Sequence, residues 1–448
     1  MNALRRTWEE LGRYPSAVVG VVLIGFIVAI AVYAVIAIPY SEAIRLWRGG
    51  DDVWIETPRH ARPKWINWFR KEKLPETIIV RTQENPDAKT VIPYGEGFSE
   101  IQVVFEFEYT ADDFPSELSL FLQGVYAREA PYVDAFWITP DGREIRLAEF
   151  TVGRSYSYRI SQDNQVRRRV GNVAPEIGLF ADPSVTDKLV PLKGTYKLVL
   201  DGFLFEDDAT IEGSLIAYGK VHGIAGTDHR RRDLSVALLW GAPIALTFGL
   251  VAAVGTSLIT MALSAMAVWF GGIIDWIIRR ITEVNMILPM LPILMMIGIF
   301  YSRSLWVILG AVVVLSIFGS SILTYRSMFL QVKESAYIEA ARSYGAGSAR
   351  IIFRYMMPKI IPVLIPSLVV TIPAFVFLEA NLAILGLGDP ILPTWGKLLN
   401  DAYEQGALYQ GHYYWVLEPA VLLMLCGLGF SMLGFALDRV FNPRLRGL

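Results

Sequence analysis

The chain has 448 residues, of which 53% are hydrophobic and 12% aromatic, and its mean hydropathy is +0.40. Soluble globular domains rarely have so apolar an average, so the composition indicates a membrane protein. The net charge of −2 gives no reason to expect a nucleic-acid partner, and the single cysteine, Cys426, excludes an intrachain disulfide framework or a cysteine-based metal site. The four histidines are scattered and form no metal-ligand pattern.

The first apolar stretch follows a polar N-terminal segment. Residues 1–16 contain three arginines, and no charged residue occurs from Ala17 to Ile38. A helix needs about 20 apolar residues to cross a bilayer, whereas the apolar core of a cleaved signal peptide has about 7–15. The sequence therefore predicts an uncleaved transmembrane helix at residues 17–40. The arginines predict that residues 1–16 are cytoplasmic, because basic residues accumulate on that side of a membrane.

A region of different character occupies residues 41–221. Its first part, residues 41–75, is irregular and mixes four tryptophans with eight Lys or Arg residues. Aromatic and cationic side chains together can mark a nucleic-acid site, but beside a membrane span they more often mark a segment that lies among the lipid headgroups. We therefore interpret this part as an interfacial or structural segment.

The remainder, residues 76–221, is predicted to be an antiparallel β-sandwich-like domain. Val103, Phe105 and Phe107 share one face of a predicted strand, and Gln102, Glu106 and Glu108 lie on the other face together with Val104. Short runs of this kind, separated by turn signals, are typical of such a fold, and they occur at 101–109, at 132–147 around a Pro140-Asp141-Gly142 turn, at 195–200 and at 210–218. With one span before it, the domain is expected outside the cytoplasm.

This domain carries no arrangement of residues that predicts catalysis. Its sequence has no Ser/His/Asp set, no metal-ligand cluster and no Gly-rich phosphate loop. Glu206, Asp207 and Asp208 are adjacent and could bind a cation, but the pattern favours a solvated turn.

The C-terminal part, residues 222–448, alternates apolar stretches with short charged connections. The apolar stretches predict five further spans, at about 234–270, 282–300, 305–325, 358–385 and 416–437. Asp275, Arg279 and Arg280 are interpreted as part of a short charged connection. The basic residues collect at 279–280, at 326–359 and in the C-terminal tail, which predicts one cytoplasmic side shared by both chain ends.

One polar segment interrupts these spans, from Tyr337 to Pro358, and we call it the elbow. Tyr337, Ala340, Ala341 and Tyr344 recur at helical spacing and share one face. Gly345 and Gly347 should interrupt the helix, Ser348 is the expected N-cap of a second helix, and Pro358 should open the next span. A short helix–glycine–helix segment between two spans is shaped to dock against another protein.

The elbow resembles the coupling loop of ABC-importer permeases. That family's signature is Glu-Ala-Ala, three residues, Gly, nine residues, a hydrophobic residue, one more residue and Leu-Pro. Here Glu339-Ala340-Ala341, Gly345 and Pro358 fall at those places, whereas Tyr355 and Met357 stand where Ile and Leu are usual.

Further segments resemble the C-type permease subunit of the oligopeptide/dipeptide (and nickel) branch of that family. They are Gly226-Thr227-Asp228 followed by Arg232-Asp233, Glu379, Leu385-Gly386-Leu387-Gly388, Pro393-Thr394-Trp395-Gly396, and the ending at 438–444. Arg231 stands where Gly is usual, and Asn442 stands where Asp is usual. The resemblance covers 222–448 well and 1–40 loosely, but it does not cover 41–221, where these subunits usually have a short external loop.

The resemblance implies an α-helical polytopic membrane protein with six transmembrane helices, the type I ABC importer permease fold, in the cell (inner) membrane. It implies a second permease subunit, two ATP-binding subunits and an extracytoplasmic solute-binding protein as partners. The sequence has no Gly-x-x-x-x-Gly-Lys-Ser/Thr loop, so ATP hydrolysis is expected from the partners and not from this chain. No cofactor or metal is expected.

The resemblance also implies which residues act. A coupling loop at 326–357 would contact the ATPases, with Glu339 pairing with a basic group and Gly345 giving the bend; the coupling residues are Tyr337, Glu339, Ala340, Ala341, Arg342, Gly345 and Pro358. An acid within a span is a functional candidate by default, so Glu379, together with Asn381 and Trp395, is a candidate for the transport pathway or a subunit interface. A position at the outer interface, or as a helix cap, is the alternative for Glu379.

Two other functions are compatible with the sequence. The first is a transporter with another cargo or direction, such as an importer of nickel or sugars, or an exporter. The second is a membrane-anchored recognition protein that acts through its β-domain, although five further spans with a charged elbow exceed what an anchor needs.

Overall fold

The computed structural model describes residues 12, 14–50, 52–85, 88–95, 97–185 and 188–441. It divides into two compact units: a helical unit, built from the chain up to Arg48 and from Val236 onward, and a β unit from Gly49 to Ser235. Most of the predicted N-terminal tail with its three arginines lies outside the described residues, as does the basic C-terminal tail.

The helical unit begins with α1 (Pro15–Ala37), which covers residues 17–37 of the span predicted at 17–40, and continues with α2 (Tyr40–Arg48). The β unit then starts with a 3-10 turn, Lys64–Phe69. Its strands are β1 (Ile78–Arg81), β2 (Lys89–Gly95), β3 (Phe98–Tyr109), β4 (Glu117–Val125), β5 (Tyr132–Ile138), β6 (Glu144–Thr151), β7 (Tyr156–Tyr158), β8 (Gly194–Leu204) and β9 (Thr210–Tyr218). Two short helices, α3 (Asn164–Arg169) and α4 (Pro175–Gly178), separate β7 from β8.

The strands form two antiparallel sheets. One sheet has the order β1-β9-β4-β7 and the other has the order β2-β3-β8-β5-β6. Strands of both sheets contribute to one hydrophobic core, which contains Phe105, Leu120 and Trp137 among others. The predicted strands are confirmed, because the alternation in β3 does place Val103 and Phe105 inside and Gln102 and Glu106 outside.

The boundaries of the β unit differ from the predicted 41 and 221. Residues predicted to be irregular after position 41 form α2, because Ala43 and Trp47 are buried on its inner face within the helical unit. At the other end, the segment after residue 221 is bonded to the β unit, where Thr227 N donates to the carbonyl oxygen of Ala61 over 2.9 Å. The β unit therefore begins and ends later than the change in composition suggests.

The remaining helices belong to the helical unit. They are α5 (Leu234–Phe270), α6 (Gly272–Ile287), α7 (Met290–Phe300), α8 (Leu305–Ile317), α9 (Ser321–Lys333), α10 (Ala336–Ser343), α11 (Ser348–Leu387), α12 (Trp395–Glu404) and α13 (Tyr413–Phe441). Among the described residues, four helices, α1, α5, α11 and α13, are long and apolar enough to cross a membrane, and the number rises to six if each of the bent pairs α6–α7 and α8–α9 is one span. Helix α13 packs against both α1 and α11.

Two predicted boundaries between spans are wrong: the charged connection that contains Asp275, and the start of the coupling loop at residue 326. Asp275, Arg279 and Arg280 lie within helix α6, where Arg279 contacts Asp275 one turn away over 3.3 Å. The chain bends by 81° between α6 and α7 instead, at Leu288 and Pro289, because a residue before proline avoids the helical conformation. The helix after the 48° bend, α9, extends to Lys333, so the predicted coupling loop does not begin at residue 326.

The elbow differs from the prediction in its second half. Gly347, and not Ser348, is the N-cap residue, and Ser348 is the first residue of α11. The helix then runs past Pro358 without a break, through a π-helical turn at Ile351–Met356. Proline has no N–H to donate, and the wider π turn directly before Pro358 accommodates the missing bond. The second elbow helix and the following span are therefore one element.

Candidate functional site

The elbow projects from the helical unit as the short helix α10, which is held by one buried side chain. Ile338 packs into a hydrophobic cluster with Phe329 of α9, Ile352 of α11 and Met261 of α5. Gly345 adopts a φ of +75°, a conformation that favours glycine, and it turns the chain from α10 towards α11.

The predicted coupling residues lie together on the outer side of the elbow. Tyr337, Glu339, Ala340, Arg342 and Gly345 are exposed, and Ala341 is half-buried. Pro358 is also exposed, but it lies in α11, two turns beyond the glycine turn. The surface combines small side chains with a tyrosine and charged groups. Glu339 also lies in the first turn of α10, where an acid stabilises the helix dipole.

A set of polar contacts fixes the base of the elbow to the junction of α5 and α6. The guanidinium of Arg326 donates to both carboxyl oxygens of Asp275, over 2.7 and 2.8 Å. Lys333 Nζ donates to the carbonyl oxygen of Val268 over 2.7 Å, near the C-terminus of α5, where a cation is favoured by the helix dipole. The guanidinium of Arg342 lies over the ring of Trp269, 4.7 Å from its centroid.

These contacts are what the sequence analysis missed. Asp275 was interpreted as part of a charged connection and Arg326 as a marker of the cytoplasmic side, and the two were not paired because 51 residues separate them in the chain. The available signal was the presence of an acid between two apolar stretches, since such a group is usually paired when it is partly buried.

At the other end of the helical unit the structure separates the three candidate pathway residues. Glu379 is only 5% exposed, and its Oε1 atom has no hydrogen-bond partner among the described residues. The side chain of Thr394 lies beside its carboxyl group. Asn381 is exposed and so does not share this buried position.

The third candidate, Trp395, has a clear structural role. It is 1% exposed, and its Nε1 donates to the carbonyl oxygen of Leu238 over 2.9 Å, which joins the start of α12 to α5. A Cβ atom on Gly241 would lie 2.2 Å from Trp395 Cδ1, so the ring packs directly on the glycine backbone. Near this end, Asp389 Oδ2 also accepts the N–H of Leu305 at the start of α8.

The segment before α5, predicted from its resemblance, forms a tightly bonded loop within the β unit. Asp228 and Arg232 are buried and form an ion pair over 2.6 Å. Arg231, at the position where glycine is usual, has a φ of +66°. Its guanidinium pairs with Glu117 over 2.5 Å and lies 4.2 Å from the ring centroid of Tyr218. The arginine thus takes the backbone conformation of the glycine and uses its side chain to fix the loop to the β-sheet.

The acidic cluster in the β unit is part of a turn. The Glu206 carboxylate accepts backbone N–H groups of Ala127, Arg128 and Glu129, which lower the pKa of Glu206, and Asp207 accepts the N–H of Gly97 over 2.9 Å. Within the described part of the chain, no group of three or more His, Cys, Asp or Glu side chains is placed to hold a metal ion.

Comparison with known proteins places the elbow inside a region that matches a known protein family. Residues 245–447 match the family model described as "Binding-protein-dependent transport system inner membrane component". The chain is 32% identical over 222 residues to the dipeptide transport system permease protein DppC of Bacillus subtilis (strain 168), and this alignment covers 49% of this chain and 68% of the relative. It is 28% identical over 222 residues to the oligopeptide transport system permease protein OppC of the same organism, with 49% and 72% covered. It is 30% identical over 224 residues to a DppC protein of Alkalihalophilus pseudofirmus, again with 49% and 72% covered.

Proposed function

Because this chain belongs to the family of binding-protein-dependent transport system inner membrane components, we propose that it is the permease subunit of an ATP-driven ABC importer for dipeptides or oligopeptides. The observation that carries the proposal is the exposed helix α10, which presents Tyr337, Glu339 and Ala340 on a base fixed by the Arg326–Asp275 pair. The peptide cargo rests on the relatives, whose names describe dipeptide and oligopeptide transport systems.

The elbow couples this chain to two separate ATP-binding subunits on the cytoplasmic side. Glu339 pairs with a basic group of an ATPase subunit, and the small side chains of Ala340 and Ala341 allow close approach. When the ATPases close on ATP, α10 moves with them. Because α11 runs from the elbow without a break until Gly386, whose φ of +82° is not helical, its displacement reorients the span and opens the pathway between two permease subunits on the other side.

The topology that accompanies this function is a six-span permease of the type I importer fold in the inner membrane, with both chain ends cytoplasmic. The pairs α6–α7 and α8–α9 each count as one bent span. The β unit is then an extracytoplasmic, β-sandwich-like insertion between the first and second spans, on the side that faces a solute-binding protein. Glu379 lies near the extracytoplasmic end of the pathway.

The test is to capture the tagged full chain from detergent-solubilised membranes and to reconstitute the complex in proteoliposomes. We expect two ATP-binding subunits and a second permease subunit to copurify, and we expect uptake of labelled dipeptide to require ATP and a binding protein. Uptake of nickel or a labelled sugar in the same vesicles serves as the control for cargo. The proposal fails if no ATP-binding subunit copurifies, or if transport proceeds without ATP.

A further inference from the structure

The β unit presents a compact group of apolar side chains to its surroundings, formed by Trp65, Trp68, Phe69 and Ile224. We call it the aromatic patch. Trp68, Phe69 and Ile224 are each 81% exposed, which is unusual for side chains of this size. Trp65 joins them, since its ring meets the Phe69 ring edge-on with centroids 6.4 Å apart and its Nε1 donates to the carbonyl oxygen of Ile224 over 3.0 Å.

The patch is held in a defined conformation. Lys64 N donates to the carbonyl oxygen of Gly223 over 3.0 Å, which fixes the 3-10 turn to the loop that carries Ile224. The Asn67 side chain binds both backbone groups of Leu74, with Nδ2 donating to its oxygen and Oδ1 accepting from its N–H, each over 3.0 Å. The exposure of the aromatic rings therefore belongs to the folded unit and does not come from a frayed segment.

The surroundings of the patch are cationic. Residues 59–73 contain six Lys or Arg residues and one Glu. Lys71 is exposed and follows the half-buried Arg70, and Lys64, before Trp65, is exposed and pairs with Glu76 over 2.5 Å. The segment therefore combines highly exposed aromatic rings with neighbouring positive charges, which are complementary to a phosphate-rich surface.

We propose that the aromatic patch inserts into the lipid headgroup region of the bilayer that this chain's own helices cross. Trp is enriched at the membrane–water interface, where Lys and Arg side chains reach the headgroups. Trp, Phe and Arg are enriched at protein–protein interfaces as well, but Lys is depleted there, so the exposed Lys64 and Lys71 beside the patch favour the headgroup region. Ile224 also precedes Leu234, the first residue of α5, by ten residues, and such a segment spans at most about 35 Å when fully extended.

The insertion would give the β unit a second attachment to the membrane. It requires neither the peptide cargo nor the ATP-driven function, because it depends only on the membrane location of the chain. Its failure would accordingly leave the proposed transport function intact.

Spin labels on the full chain in nanodiscs of mixed phosphatidylcholine and phosphatidylglycerol test the proposal. Labels are placed at Trp68→Cys and, in a separate variant, at Phe69→Cys, and Glu144→Cys on strand β6 is the control. Both patch positions are highly exposed, so we expect the variants to fold. The native Cys426 is buried and should not react with the label. Collisions with oxygen, which concentrates in lipid, are compared with collisions with a water-soluble nickel chelate. We expect the oxygen-to-nickel ratio at positions 68 and 69 to exceed that at 144 by at least about threefold, because the interface excludes the chelate.

Two outcomes would overturn the proposal. A ratio at 68 and 69 equal to that at 144 would mean that the patch faces water. Low collision rates with both reagents would mean that protein covers the patch, either another subunit or a second copy of this chain.

Discussion

Arg326 and Asp275 form two parallel hydrogen bonds, from Nε to Oδ1 over 2.7 Å and from Nη2 to Oδ2 over 2.8 Å. This fork geometry joins α9 to α6 directly beneath the elbow. Both side chains are partly buried, so removal of one partner leaves a charge that is poorly hydrated.

We expect Asp275→Asn or Arg326→Ala to lower the free energy of unfolding by roughly 1.5–3 kcal/mol, the usual range for hydrogen bonds to charged groups. The double variant should cost little more than the worse single variant, because both remove the same contact. Thermal unfolding in detergent measures this. Glu283→Gln is the matched control, since the Glu283–Arg280 pair is exposed and its loss should cost less than about 1 kcal/mol. If disruption of either ion pair lowered the free energy of unfolding by the same amount, Arg326 would not have the structural role described above.

Reversing the charge of Glu339 should uncouple the transporter. Glu339 is exposed, so Glu339→Lys should leave membrane insertion intact and lower stability by no more than about 1 kcal/mol through the helix dipole, while peptide uptake is lost and ATP hydrolysis no longer responds to the binding protein. The reason is repulsion from the basic group that Glu339 is proposed to meet. Glu334→Lys, an exposed acid at the end of α9, is the control and should retain uptake. Wild-type uptake by Glu339→Lys would exclude the docking role.

Peptide uptake should be equally sensitive to a substitution at Gly345, because the turn requires a particular backbone conformation there. Proline fixes φ near about −65°, whereas Gly345 has +75°, so Gly345→Pro must distort the connection between α10 and α11. We expect a correctly inserted protein without ATP-dependent uptake. Gly347→Ala is the control, because Gly347 has a φ of −68° and open space around its Cβ position, and its uptake should be normal. If both variants transport peptide normally, the turn has no part in coupling.

The contact between Gly241 and Trp395 predicts a strong effect of one added methyl group. Gly241→Ala would place a Cβ atom 2.2 Å from the indole ring, and we expect it to lower stability by about 1–3 kcal/mol through displacement of α12. In Gly310→Ala, the added atom meets nothing within 4 Å, and removal of a helix glycine should be neutral or stabilising. Similar melting temperatures for the two variants would show that α12 is not held against α5 in this way.

Replacement of Glu379 tests whether its side chain serves transport or only the stability of the fold. Because one carboxyl oxygen of Glu379 is buried without a partner among the described residues, Glu379→Met should leave stability unchanged or raise it by about 1–3 kcal/mol. Peptide uptake should nevertheless fall, since a destabilising group is retained where function needs it. Uptake and unfolding temperature are measured on the same reconstituted sample. Reduced stability with normal uptake would assign Glu379 to the fold alone.

The sequence predicted those features that depend on neighbours in the chain. Apolar runs marked α5 and α13, alternation marked β3, and the glycines marked the turn of the elbow. The course of α11 through Pro358, which follows a π-helical turn, contradicts the local expectation that proline opens a new helix. Contacts between distant residues were not predictable in this way, and the base of the elbow depends on one of them, the Arg326–Asp275 pair. The pairing of Arg231 with Glu117 likewise joins residues that are 114 positions apart.

The unbroken course of α11 from Ser348 to Leu385 lets a small rotation move its far end a long way. A helix of about 38 residues is about 57 Å long at 1.5 Å per residue, so a tilt of about 5° around its elbow end moves the far end by roughly 5 Å. Glu379, 31 residues beyond Ser348, travels most of that arc. A small rotation of the elbow end of α11, driven by the proposed ATPase subunits, would therefore move the far end of the helix by about the width of a peptide backbone.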